Sequence, residues 1–278
     1  MEDDKVNKVM ISDYAQKAIY FSLSNQNNSG KLKQLGNRFS RIENLSKEQV
    51  LKLKEYLQIA ERDLKDYQIL FSNGSYANAV YHLEQSIEKI AKIFYFIISD
   101  NPDPKKIGHK SLKVYIKLLE ENEEFFSFIF DNKLNDGINL LKDFVNDNKK
   151  EKIAQLSFSE LKTIKENIEL FKKDITSEFK KILDLFSNNK GLESNFIGKI
   201  EINKNYSKFI ITYMINFFLI YLFSIIIWPH ESLTRYPDYQ VKPSDYILGF
   251  GIVDFSSYMS TEMQAIINWI EEVIDKQK

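Results

Sequence analysis

Between Phe209 and Trp228 the chain runs through "FIITYMINFFLIYLFSIIIW" without one charged side chain. About twenty apolar residues in a row is the length of a membrane span. It is equally the length of a bundle helix that neighbours cover on every side. The flanks favour the second reading. Glu231, Arg235 and Asp238 follow within one short loop, so the downstream side carries both signs of charge, and no second such run exists. Lys204 and Lys208 upstream are the one basic flank that suits a membrane. The expectation is a buried core helix, with a membrane-anchored protein through 209–228 as the alternative.

A core rod of this kind needs striped helices around it, and the rest of the chain supplies them. Nine glycines and five prolines in 278 residues leave few breaks, which predicts an all-α, up-and-down helical bundle. Residues 1–46 read as an N-terminal helical extension and linker, ending in polar segments such as "SNQNNSGK". Ser46 and Gln49 form a capping-box pattern that opens a long helix. Its buried stripe is predicted as Leu53, Leu57, Ala60, Leu64, Tyr67 and Phe71. "SNGSY" then supplies Gly74 as a C-terminal stop and Ser75 as the next N-cap. A second helix is predicted over about 76–98, with Tyr76, Ala79, Leu83, Ile87, Ile90 and Phe94 on one face. The tight turn makes these two an antiparallel hairpin. A Pro-containing loop follows, and then a third helix over about 112–120.

Residues 121–208 read as an inserted helical segment. Ser157 and Glu160 form a second capping box, ahead of Leu161, Ile164, Ile168, Phe171, Ile175, Phe179, Ile182 and Phe186. That spacing suits an intramolecular bundle helix, and less well a dimerising seam, because the run is short for a coiled coil.

Composition excludes several classes of function. The net charge is -1, so no global field draws the chain to nucleic acid or an anionic membrane, and an anion site must be a local patch. Absence of cysteine rules out disulfides and thiolate metal sites, which suits a cytoplasmic protein. The acidic start "MEDDKVNKVM" is unlike a signal peptide. There is no phosphate-binding glycine loop and no nucleophile elbow. His82, His109 and His230 have no short spacing among them, so neither a metal nor another cofactor is expected. His82 reads as a packed or surface histidine.

"PHESLTRYPDY" is where polar chemistry concentrates. Histidine moves protons near neutral pH, and arginine holds phosphate with paired donors. His230 and Arg235 are therefore the candidate catalytic pair. Glu231, Tyr236 and Asp238 are candidate binding residues, as are His109 and Lys110 at the start of the third helix, where free backbone N–H groups favour anions. Tyr236 and Tyr239 can stack on bases. The structural alternative is that Pro229 stops the apolar helix, His230 and Glu231 meet water beyond it, and Arg235 pairs with Glu231 or Asp238 to fix the loop.

The segment "AERDLKDYQILFSNGSYANAVYHLEQSIEKIAKIFYFII" resembles the first helical hairpin of HEPN-domain proteins. The matching residues are Ala60, Asp63, Leu64, Gly74, Tyr76, Ala79, Gln85, Glu88, Lys89 and Lys92. "HKSLKVYIKLLE" resembles that family's third-helix start, "RYPDY" its closing R-Y-P segment, and "TEMQAIINWIEEVI" its last helix. The resemblance covers about 47–120 and 209–275, and so implies one HEPN-like bundle over 47–278 with the insertion at about 121–208. It implies a role in defence or toxin–antitoxin biology, through binding of nucleic acid or a partner protein. The partners it implies are a second copy of the chain, a nucleotidyltransferase-type protein, or RNA. Many members are metal-independent ribonucleases whose signature is an arginine followed four to six residues later by a histidine. None of Arg38, Arg41, Arg62 and Arg235 is followed in that way. What stands here is the reverse order, His230 and then Arg235, so a ribonuclease reading rests on that reversed pair.

Overall fold

A computed structural model describes residues 45–99, 111–121, 153–170, 172–173, 204–237 and 239–275. His109, Lys110 and Asp238 lie outside the described residues, as do 1–44, the seam positions 174–186 and most of the 121–208 segment.

Helix α1 (Lys47–Ser72) opens on the expected capping box. The Gln49 N–H donates to Ser46 Oγ at 3.2 Å, and the Ser46 N–H donates to Gln49 Oε1 at 2.9 Å. Two otherwise orphaned donors are satisfied in this way. Leu53, Leu57, Ala60, Leu64 and Tyr67 are buried as the stripe predicts, while Phe71, in the last turn, is only half-buried. Gly74 follows at φ +74°, a left-handed conformation that glycine adopts without a Cβ clash.

Helix α2 (Tyr76–Ile98) then folds back along α1. Ser75 holds the N-cap position, but its hydroxyl makes no capping bond and instead accepts from Asn78 Nδ2 at 3.0 Å. The hairpin is cross-linked deep inside, where Ser86 Oγ donates to the Ala60 carbonyl at 2.8 Å.

Helix α3 (Ser111–Glu121) packs on α2. A further helix, α4, covers 158–170 and begins at the second capping box, with Ser157 N–H donating to Glu160 Oε2 at 2.7 Å. Helix α5 (Lys204–Ile227) is the apolar run. It lies against α2 and α3, with Tyr213, Phe217, Leu219, Ile220, Phe223, Ile226 and Ile227 buried. Its aromatic rings interlock with those of its neighbours, Phe94 on Tyr213 at 5.3 Å and Tyr115 on Phe217 at 5.3 Å. Tyr115 also donates its hydroxyl proton to the Phe217 carbonyl at 3.1 Å. The described side chains of the run are buried or half-buried, and no described helix is long and apolar enough to cross a membrane.

A short helix, α6 (His230–Leu233), and a 3₁₀ turn (Pro243–Asp245) lead into α7 (Gly251–Asp275), which packs on α1 and α2. Gly251 sits where residues 156–158 press on the start of α7, with the Leu156 carbonyl oxygen in the space that a Cβ would need. Further along, Tyr67 Oη bonds Ser256 Oγ at 2.8 Å, and Ser256 in turn donates to the Val253 carbonyl, so α1 and α7 are tied by a buried hydroxyl relay. Among the described residues there is no strand, and the architecture is an all-α helical bundle.

Candidate functional site

The apolar helix α5 delivers its polar loop against the N-terminal half of α2. Pro229 does end the apolar run, but His230 does not meet water beyond it. Only 1% of His230 is exposed. Its Nδ1 is hydrogen-bonded to the Tyr246 hydroxyl at 2.6 Å, and its ring stands edge-on to Tyr246 and to Phe250 at 5.5 and 6.5 Å. Burial, with the nearby Asp245 charge second, pushes the Tyr246 phenol far above its ordinary range, so it stays protonated. Thr234 Oγ1 donates to the His230 carbonyl at 2.7 Å and closes the short helix α6.

Arg235 is used in the opposite way. Its Nε donates to the Glu231 carbonyl at 3.0 Å, and its Nη2 pairs with the Glu231 carboxylate. The guanidinium carbon lies over two rings, Tyr81 of α2 at 4.9 Å and Tyr236 at 5.4 Å. A planar cation held between aromatic faces and braced by a carboxylate is pre-oriented. It is nonetheless open to solvent, with 38% of the side chain exposed. Tyr236 and Tyr239 beside it are 50% and 37% exposed. His230 and Arg235 therefore have separate partners, one in the interior and one at the surface, and the described contacts do not join them as a pair.

Beneath Arg235 lies a polar network along α2. Glu84 and Glu88 are fully buried, and Lys92 is nearly so. Glu88 pairs with both Lys89 and Lys92. Lys89 also donates to Gln85 Oε1 at 3.2 Å, and Gln85 Nε2 donates to Glu84 Oε2 at 2.7 Å. The other oxygen of Glu84 has no hydrogen-bond partner among the described residues. Burial, reinforced by the charges of Glu88 and Glu231, pushes the Glu84 carboxyl up to about 8, against smaller opposing effects of Lys89 and Gln85. At neutral pH Glu84 is thus a neutral acid, which is how a carboxyl survives in this setting.

Gln85, Glu88, Lys89 and Lys92 of the hairpin motif and Arg235 of the R-Y-P segment are therefore parts of one region, linked through Tyr81, Glu84 and Glu231. Sequence reasoning missed Tyr81, Glu84 and Tyr246. Glu84 left a signal: it adjoins the apolar stripe position Leu83, where an acid is costly unless it is protonated or paired.

A protein-family model matches most of the chain. The HEPN domain model covers residues 53–278, and the chain belongs to the HEPN-domain family. No curated protein and no solved structure matches the chain.

Proposed function

We propose that this HEPN-domain protein is of defence or toxin–antitoxin type, cytoplasmic, and that it works by binding a single-stranded nucleic acid, RNA first, at the surface of Arg235, Tyr236 and Tyr239. The observation that carries this reading is the Arg235 guanidinium, braced by Glu231, held between Tyr81 and Tyr236, and open to solvent. Such a cation suits a backbone phosphate, and the flanking exposed rings suit bases. His230 serves in this reading as an internal post that fixes the loop, since a strand at the surface does not touch a side chain only 1% exposed.

A second reading, a partner protein at the same end of the molecule, draws on Ile247 and Leu248, which are 61% and 62% exposed in the loop that follows. Two adjacent exposed aliphatic side chains, in the same 228–250 stretch as Arg235 and Tyr236, suit contact with a protein surface. The proposed partners there are a second copy or a nucleotidyltransferase-type protein.

Titrating a labelled single-stranded RNA at several salt concentrations separates the two readings. Binding to RNA should weaken steeply as salt rises, with a slope of about -0.7 per phosphate neutralised, and Arg235→Ala should remove about one such unit. No binding even at low salt would overturn the RNA reading in favour of the partner protein. Following the same RNA on a gel tests the ribonuclease reading through His230 and Arg235: cleavage abolished by Arg235→Ala would support it, and equal degradation by wild type and variant would remove it.

A further inference from the structure

Around α2 from Arg235, on the side facing α1, three potential metal ligands meet. Asp63 and Asp66 stand one turn apart on α1, and His82 stands opposite them on α2. One ligand atom from each lies within 4.8 Å of the others. His82 Nδ1 is 3.3 Å from Asp63 Oδ1. The histidine and Asp63 side chains are 28% and 13% exposed, so the cluster is recessed but reachable from solvent.

Among the described residues, two acids in this cluster share one histidine. Among the described residues, Asp63 pairs only with His82, and Asp66 makes no hydrogen bond or ion pair. Arg62 and Lys65 stand next to them in the sequence, yet both are exposed and neither pairs with either carboxylate. Among the described residues, then, the imidazole of His82 is the one partner that faces either carboxylate.

We propose that Asp63, Asp66 and His82 form a site for a zinc-class divalent ion, with at least one coordination position left to water. The donor set selects the class. An imidazole with two carboxylates suits Zn²⁺ and its first-row neighbours, whereas Mg²⁺ and Ca²⁺ favour oxygen-only sets. Two ligands at about 2.0–2.2 Å from a common ion stand about 3–4 Å apart, and His82 Nδ1 and Asp63 Oδ1 are already 3.3 Å apart. The bound ion would staple α1 to α2 about two turns from Gly74, in the part of the hairpin nearer its turn. This site does not depend on the RNA-binding reading of Arg235.

The test uses the full chain stripped of metal with a chelator. Equilibrium dialysis against Zn²⁺ with elemental analysis should give about one ion per chain, and Zn²⁺ should raise the melting temperature because it binds the folded form. Asp66→Asn and His82→Gln should each weaken zinc binding by at least about 10- to 100-fold, the loss that even an outer-shell partner causes, and should abolish the rise in melting temperature. Asp66→Asn is the cleaner variant, since Asp66 has no described partner for the fold to lose. Mg²⁺ should do neither. No bound zinc in the wild type would overturn the proposal, as would zinc binding left unchanged in both variants, which would place the ion elsewhere.

Discussion

His230 and Arg235 lie five residues apart in one loop, and the fold puts them to opposite uses. His230 is sealed against Tyr246 and Phe250. Arg235 is carried out to solvent between Tyr81 and Tyr236. The difference shows that closeness in a polar stretch does not define a site. What each side chain can do is set by the element it packs against: His230 is anchored by the segment leading into α7, while Arg235 is anchored on α2.

Removing the interior member should cost the most. His230→Ala deletes a buried ring and leaves the Tyr246 hydroxyl without its bond, so unfolding in urea should show a loss of about 3 kcal/mol. A loss within a few tenths would put His230 at the surface and dissolve the contrast. Tyr246→Phe keeps the packing and removes only the hydroxyl, so the same experiment should read about 1–2 kcal/mol.

Glu84 sharpens the contrast through pH. Its folded carboxyl titrates at about 8, above the ordinary value of 4.5. The folded state therefore binds the proton more tightly than the unfolded one. The resulting stabilisation is complete below about 4.5, declines as pH rises and is lost through about 8. Glu84→Gln keeps a neutral side chain at every pH. Denaturation midpoints measured from pH 5 to 9 should fall less steeply for the variant than for the wild type; parallel profiles would mean that Glu84 is ionised throughout.

Much of the fold was legible in the sequence because its signals are local. The Ser46–Gln49 box, Gly74 and the Ser157–Glu160 box each act within a few residues, and they marked helix ends that the structure reproduces. The charge-free run 209–228 could only be enclosed or inserted in a membrane, and its mixed flanks pointed to enclosure. The site was less legible because its contacts are distant. Tyr246 lies sixteen residues after His230, beyond a loop with no periodicity to predict its course. Tyr81 and Glu84 belong to a helix more than a hundred residues earlier. The Asp63, Asp66 and His82 cluster has a signal that histidine spacing alone hides: Asp66 and His82 stand eight residues either side of Gly74, and an antiparallel hairpin brings such positions abreast.

The smallest effect on stability belongs to the exposed member, and it carries the account. In Arg235→Ala, an exposed ion pair and two ring contacts are lost, so the free energy of unfolding in urea should fall by no more than about 1 kcal/mol. Arg235→Lys should not restore function, because an ammonium lacks the planar fork that lies between the rings. Measuring RNA affinity and urea stability together on purified Arg235→Ala is the most direct test. Affinity should fall by about tenfold or more with the fold intact. Unchanged affinity in a folded variant would contradict it.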